Sequence, residues 1–418
     1  AALREPEGGA GHSTFPYFPY RLVHRGGSRP YAVVGQPGPR GPRLNRDAAE
    51  ALRLADGEHA LEAIAAHVSA RYPEAGGASA VRKRLTPLYE ELTRRGLLWW
   101  STRPLQAYPV EAPETIFWEL TEACNLLCRH CVVAAGPRRA VRELPTARCL
   151  ELSREFAELG TRWVAFSGGE PLLHPDFRRI VEHARACGLG LRLSTNGTLV
   201  TPALAHWLAE CFEDVQVSLD GSTAAVHEAL RVQRGSFAAA LRGIRALVAA
   251  RLPVTIGCVL TTQNERDLQA LVELAAELGA ARLRLIPFVP RGRGAAHAGL
   301  ELPPARLRAL TCHLRELRTR APIEIAALEF EELLDAQASA RPCDPSVGLG
   351  CRGARSYVTI TPSGEVLPCH FFAGVRADSV ALASFAKVWL RSRFLNYFRH
   401  LTVAVMHGAC RRCVHLLR

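Results

Sequence analysis

Three cysteines, Cys124, Cys128 and Cys131, sit in one short stretch at the spacing C-x3-C-x2-C. Thiolates are soft ligands that suit iron–sulfur clusters or zinc. A structural zinc wants four protein ligands, and only three are local here. Three cysteines on a four-iron cluster would leave one iron open to a small molecule. Further on come Ser167-Gly168-Gly169-Glu170-Pro171, Ser194-Thr195-Asn196-Gly197 and Ser218-Leu219-Asp220-Gly221. Paired glycines let a backbone approach a ligand closely, and Glu170 can accept a hydrogen bond from an ammonium group. Near the end, Cys351, Cys369, Cys410 and Cys413 follow C-x17-C and C-x2-C. Four thiolates fit a fully ligated cluster, with a structural zinc as the alternative.

The remaining cysteines divide simply. Cys343 lies close to Cys351 and is a candidate spare ligand. Cys149, Cys187, Cys211, Cys258 and Cys312 fall in helical or strand patterns and read as small packing residues. The chain has 13 cysteines in 418 residues. Ala1 to Thr14 is polar and Gly-rich, without the apolar stretch of a secretory signal. So many cysteines without such a signal point to metal or redox chemistry in a reducing, cytoplasmic setting. No window of 18 uninterrupted apolar residues exists, which argues against a membrane span. The net charge is +12 and almost all arginine, with lysine only at Lys83 and Lys387. Such a surface suits nucleic acid, an acidic peptide or an anionic small molecule.

The elements that must position these residues can be read from periodicity. Short apolar runs at Thr115–Leu120, Trp163–Ser167, Gly190–Thr195, Asp214–Leu219, Val254–Leu260 and Arg282–Pro287 alternate with amphipathic stretches such as Cys149–Leu159 and Asp267–Leu278. Six such units predict an α/β fold, a parallel sheet curled into a partial (β/α)6 TIM-type barrel. Its functional residues should then lie at the C-terminal strand ends. Ahead of it, β-prone runs around Arg21 and Tyr31 precede three helical patterns, the first capped by Asn45. This predicts a winged-helix-like α+β module. We expect a flexible tail over 1–20, the module over 21–101, a Pro-rich linker over 102–115, the barrel over 116–300, a bridging helical segment over 301–345, and a cysteine-bearing domain over 346–418.

The cysteine triad, followed one unit later by Gly168-Gly169-Glu170, resembles the radical S-adenosylmethionine (SAM) superfamily, with His130 in the aromatic place of its signature. The resemblance covers about 116–300. It implies a [4Fe–4S] cluster on Cys124, Cys128 and Cys131 that binds SAM and yields a 5′-deoxyadenosyl radical. It assigns Gly168, Gly169 and Glu170 to the SAM amino group. It assigns Ser194, Asn196, Ser218 and Asp220 to its ribose and carboxylate surroundings, Arg231 to the carboxylate, and Arg293 to the last SAM-contacting loop. The terminal segment resembles the SPASM auxiliary-cluster domain in its shortened twitch form. That implies one auxiliary [4Fe–4S] cluster on Cys351, Cys369, Cys410 and Cys413. His370 stands where sulfatase-modifying relatives carry an aspartate, which counts against that activity. It remains a candidate general base.

Residues 21–101 resemble the PqqD-like module that binds leader peptides. Together these resemblances imply a radical SAM enzyme that oxidatively modifies a ribosomally made precursor peptide, with a thioether or carbon–carbon crosslink as the expected product. The leader would bind the N-terminal module, and a flavodoxin or ferredoxin would supply electrons. No membrane partner is expected. The rival readings are tailoring of a tetrapyrrole side chain and an iron–sulfur DNA-binding regulator using Arg82, Lys83, Arg84, Arg94 and Arg95. The leader-like module argues against tetrapyrrole tailoring, and an intact SAM site argues against the DNA-binding regulator.

Overall fold

The structure is a computed structural model and describes residues 15–18, 21–24, 31–34, 43–95, 97–101, 110–137, 143–327, 352–372, 375 and 377–401. All six expected barrel strands are present: β6 (Thr115–Thr121), β7 (Trp163–Gly168), β8 (Gly190–Thr195), β9 (Asp214–Ser218), β10 (Val254–Leu260) and β11 (Arg282–Pro287). They are parallel neighbours in chain order. Each alternates its side chains between two faces. On β6, Ile116, Trp118 and Leu120 enter the main core with the helices, where Trp118 meets Phe156 edge-on and stacks on Phe166. Phe117 and Glu119 point to the concave face.

The sheet continues past the six strands on both sides. β12 (Glu324–Ala326) adds to β11 in parallel, after the helix Pro304–Arg320. β13 (Tyr357–Ile360) adds to β6, also in parallel, with Tyr357 opposite Thr115. β14 (Val366–Leu367) turns back antiparallel on β13. The segment carrying Cys369 is therefore fused to the first barrel strand.

The N-terminal module holds β2 (Arg21–His24), β3 (Tyr31–Val34) and β4 (Arg43–Leu44) in one antiparallel sheet. Its helices are α1 (Arg46–Leu54), α2 (Leu61–Arg71) and α3 (Ala78–Arg94). Asn45 caps α1 as expected, its side chain accepting from the Ala48 amide at 3.1 Å. The expected tail needs correction at its end. Phe15–Tyr17 forms β1 and pairs antiparallel with β5 (Trp99–Ser101). The reason is aromatic packing: Tyr17 and Trp99 stack with Tyr397 on the helix Arg393–His400. Arg393 also forks onto Glu58 with two 3.0 Å bonds. The module is thus docked on the helix Arg393–His400. Most of the expected linker, 102–109, lies outside the described residues.

Among the described residues no helix is long and apolar enough to cross a membrane. Of the five basic residues on α3 and at its C-cap, four are paired with acids: Arg82 with Glu62, Arg84 with Asp47, and Arg94 and Arg95 with Glu91. That is a solvated helix face. Cys149, Cys211 and Cys258 are buried, as packing residues should be, but Cys312 is exposed on its helix.

Candidate active site

The cysteine loop leaves the C-terminal end of β6, where a barrel of this class places chemistry. Cys124 and Cys128 are buried and Cys131 is half-buried. Burial pushes the Cys124 thiol up to about 11 and raises Cys128 as well. These thiols are therefore protonated at neutral pH until a metal replaces the proton. Among the described residues no three His, Cys, Asp or Glu side chains converge closely enough for a single ion. A four-iron cluster takes each thiolate on a different iron, so the soft donor set fits it.

The glycines of the second strand end pack against the chain's own backbone. A Cβ on Gly169 would lie 2.2 Å from the Ala123 carbonyl oxygen, and one on Gly168, at φ +131°, 2.6 Å from that of Thr121. The close approach is to the chain's own cysteine loop. The Gly169 and Glu170 amides donate to Thr121 and Ala123 at 2.7 and 2.8 Å. Glu170 is fully buried. It accepts from the Thr195 hydroxyl at 2.7 Å, the Asn196 amide at 2.8 Å and the Leu172 amide at 3.3 Å. Burial still raises it to about 7. It ties the ends of β7 and β8 together.

Asn196 extends that tie. Its Nδ2 donates to Asn125 Oδ1 at 2.7 Å, and its Oδ1 accepts from Thr198. Asn125 in turn donates to the Thr198 hydroxyl at 2.8 Å. Asn125 and Thr198 were missed in the sequence because they flank motifs rather than belong to them. Ser194 and Ser218 lie on the concave face, opposite the buried Leu193 and Val217.

Asp220, expected near the SAM ribose, is fully buried and its carboxylate is taken up internally. One oxygen accepts from Arg231 Nε at 2.6 Å and the other from the Val259 amide at 2.9 Å. Burial favours its neutral form, but Arg231, His130 and His227 outweigh that and hold it near about 2. Arg231 also turns Nη1 toward Cys128 Sγ at 3.7 Å. His130 is buried with Nε2 3.5 Å from Asp220, and its Nδ1 has no hydrogen-bond partner. Burial pushes His130 down to about 4, so it is neutral. An orphaned ring nitrogen beside the cysteine loop is what a bound cofactor would complete.

Arg293 holds the loop from the far side. Its guanidinium donates to the carbonyls of Cys128 at 2.8 Å, Ala134 at 3.1 Å and Ala135, and its amide to that of Cys131 at 2.9 Å. The preceding Gly292, at φ +56°, packs so close to Val132 that a Cβ would lie 2.3 Å from its carbonyl oxygen. The loop is thus fixed by the protein's own contacts.

The second cysteine set is only partly visible. Cys369 is half-buried after β14, its carbonyl accepting from the Phe372 amide at 3.3 Å. His370 is exposed and packs on Phe371. Cys343, Cys351, Cys410 and Cys413 lie outside the described residues. Sequence reading also missed Glu119, a buried carboxyl on the concave face of β6.

Comparisons with known proteins agree with this geometry. Residues 118–275 match the radical SAM superfamily, and residues 351–414 match SPASM, an iron–sulfur cluster-binding domain. The second range spans Cys351, Cys369, Cys410 and Cys413. The mycofactocin maturase MftC of Mycobacterium tuberculosis is 34% identical over 314 residues, 73% of this chain and 77% of that protein. The AdoMet-dependent heme synthase of Methanosarcina barkeri is 31% identical over 300 residues, 69% and 85%. Streptococcus suis SuiB bound to S-adenosylmethionine has the same fold, with TM-score 0.61 at 16% identity, covering 96% of this chain and 92% of that one. SuiB bound to precursor peptide SuiA superimposes with TM-score 0.60 at 15% identity, covering 96% and 94%.

Proposed function

The chain belongs to the radical SAM superfamily and carries a SPASM domain, and from that premise we propose that it oxidatively modifies a ribosomally made precursor peptide. When bound, the [4Fe–4S] cluster and SAM supply a 5′-deoxyadenosyl radical that abstracts hydrogen from a C–H bond. Cys124, Cys128 and Cys131 would hold that cluster. Arg293, Asn125 and the Gly168–Glu170 turn hold the loop in place before it arrives. Cys351, Cys369, Cys410 and Cys413 would hold one auxiliary [4Fe–4S] cluster that takes an electron from the oxidised substrate.

The observation that carries the peptide reading is the 34% identity to a maturase over 73% of the chain. The docked N-terminal module supports it. A PqqD-like role for residues 21–101 would offer a sheet edge on which a leader adds as a strand. The net reaction is a thioether or carbon–carbon crosslink. A cytoplasmic setting with a flavodoxin or ferredoxin as donor follows from the same reading. The second reading, tetrapyrrole tailoring, is favoured by the heme synthase relative at 31% identity.

The two are separated by anaerobic turnover of reconstituted protein with a reductant. The precursor peptide encoded near the gene should stimulate 5′-deoxyadenosine formation and bind the N-terminal module. Stimulation by a propionate-bearing tetrapyrrole, with none by peptide, would transfer the assignment to the second reading.

A further inference from the structure

We propose that Glu119 is a substrate subsite inside the barrel, its carboxyl taking a cationic group of the substrate: a lysine or arginine side chain, or a free amine. The inference rests on the peptide reading above and specifies what the peptide must present.

Glu119 interrupts an otherwise apolar strand. Ile116, Trp118 and Leu120 enter the core, so alternation turns Glu119 to the concave face with Phe117, whose ring meets Tyr357 edge-on at 5.7 Å. It is only 7% exposed. Among the described residues it has no hydrogen-bond or ion-pair partner, yet neither oxygen is among the sealed unpartnered atoms. The carboxyl therefore faces space within the barrel.

The nearest side chains in its register row are polar and uncharged. Glu119 is in register with Ser167 on β7, Ser194 with Gln216, and Gln216 with Thr255. Two other carboxylates on that face of the described strands are already paired, Asp214 with Arg192 at 3.1 Å and Glu324 with Arg282 at 2.9 Å. Glu119 has no such cation. The charged side chain acting on it is another acid, Glu122. Burial, with that neighbour, lifts it to about 8. An unpaired buried carboxyl is costly, and such groups in clefts mark functional sites. In a chain of net charge +12, an acidic spot in the barrel selects for a cation. Glu119 lies five residues before Cys124 on the same strand and the loop that leaves it.

The test is a double-mutant cycle on the reconstituted full-length enzyme. Glu119→Gln is crossed with replacement of each lysine or arginine of the precursor's core by leucine. Peptide modification is followed by mass spectrometry. For one cationic position, either single change should lower kcat/KM by about thirtyfold or more, chiefly through KM, and the second change should add little. Glu119→Asp should restore part of the loss, which separates the effect from misfolding. Additive losses, or a Glu119→Gln enzyme equal to wild type, overturn the proposal. Weakened SAM affinity with an additive cycle would assign Glu119 to the cofactor's ammonium and also overturn it. Should wild type cleave SAM but modify no peptide, the peptide reading fails by itself. The subsite is then read with n-butylammonium against n-butanol as probes of the SAM-bound cluster's paramagnetic resonance spectrum. An ammonium-specific change lost in Glu119→Gln supports it, and identical responses overturn it.

Discussion

Arg231 donates through Nη1 to the sulfur of Cys128 at 3.7 Å, while its Nε is clamped by Asp220 at 2.6 Å. A buried guanidinium aimed at a cluster ligand stabilises the more negative, reduced state, because hydrogen bonds to the sulfurs set cluster potential. Replacing Arg231 with Gln should make the SAM-binding cluster harder to reduce. One charged hydrogen bond corresponds to a shift of ~60 mV. A redox titration followed by paramagnetic resonance reads this directly, and the auxiliary cluster serves as the unshifted internal control.

Arg293 donates to three carbonyls of the cysteine loop. Arg293→Ala should loosen residues 124–136 by about 1.5–3 kcal/mol, the range for hydrogen bonds to a charged group. Amide exchange of that segment should quicken and iron retention should fall. Full loop protection with weakened SAM binding would instead return Arg293 to the role read from the sequence.

Gly169→Ala must push a methyl group into the Ala123 carbonyl, which is backbone and cannot swing aside. The expected cost is about 1–3 kcal/mol, as for other overpacked sites, with loss of cluster loading. Gly299, where an added Cβ meets nothing within 4 Å, is the control, and its Ala variant should stay within about 0.5 kcal/mol of wild type. Thermal denaturation and iron analysis check both.

Glu119 also predicts a pH dependence of stability. Burial raises its pKa from 4.5 to about 8 in the folded chain. Between those values the folded state keeps a proton that the unfolded state has lost. Stability is therefore full below pH 4.5 and declines as pH rises toward 8. The decline is on the order of 3–5 kcal/mol at 1.36 kcal/mol per pKa unit. Glu119→Gln should abolish it, so the variant's melting temperature should overtake that of wild type as pH rises from 5 to 8.5. Parallel curves would contradict the buried, unpaired carboxyl.

At the domain contact, Trp99 lies 4.9 Å from Tyr397 and within 6.1 Å of Phe394, whereas the Arg393–Glu58 fork is solvent-facing. Trp99→Ala should release the N-terminal module at a cost of about 2–4 kcal/mol. Arg393→Ala should cost less than about 1 kcal/mol. Proteolytic cleavage between the module and the barrel distinguishes them.

The barrel strands were legible because each is a short apolar run between amphipathic helical stretches, as in Val254–Leu260. The partner of β13 was not. Tyr357 pairs with Thr115 across more than 240 residues, and no local pattern encodes so distant a register. At Gly168, Gly169, Asp220 and Arg293 the structure adds contacts that the motifs do not encode, to the cysteine loop or to neighbouring strands. A motif shows that a residue is needed near the cysteine loop, not whether it faces the ligand or the loop itself. Glu119 did leave a trace, a single acid among Ile116, Phe117, Trp118 and Leu120. Phe15–Tyr17 as a strand depends on Trp99 and Tyr397, so it was legible only once the chain had folded.

The most direct measurement of the central claim is mass spectrometry of the neighbouring precursor peptide after coexpression with this protein. The control is a variant in which Cys124, Cys128 and Cys131 are all replaced by Ala. The account predicts a peptide lighter by two hydrogens per crosslink with the wild-type enzyme and an unchanged peptide with the variant. An unmodified peptide from wild-type protein that holds its clusters and cleaves SAM would contradict it.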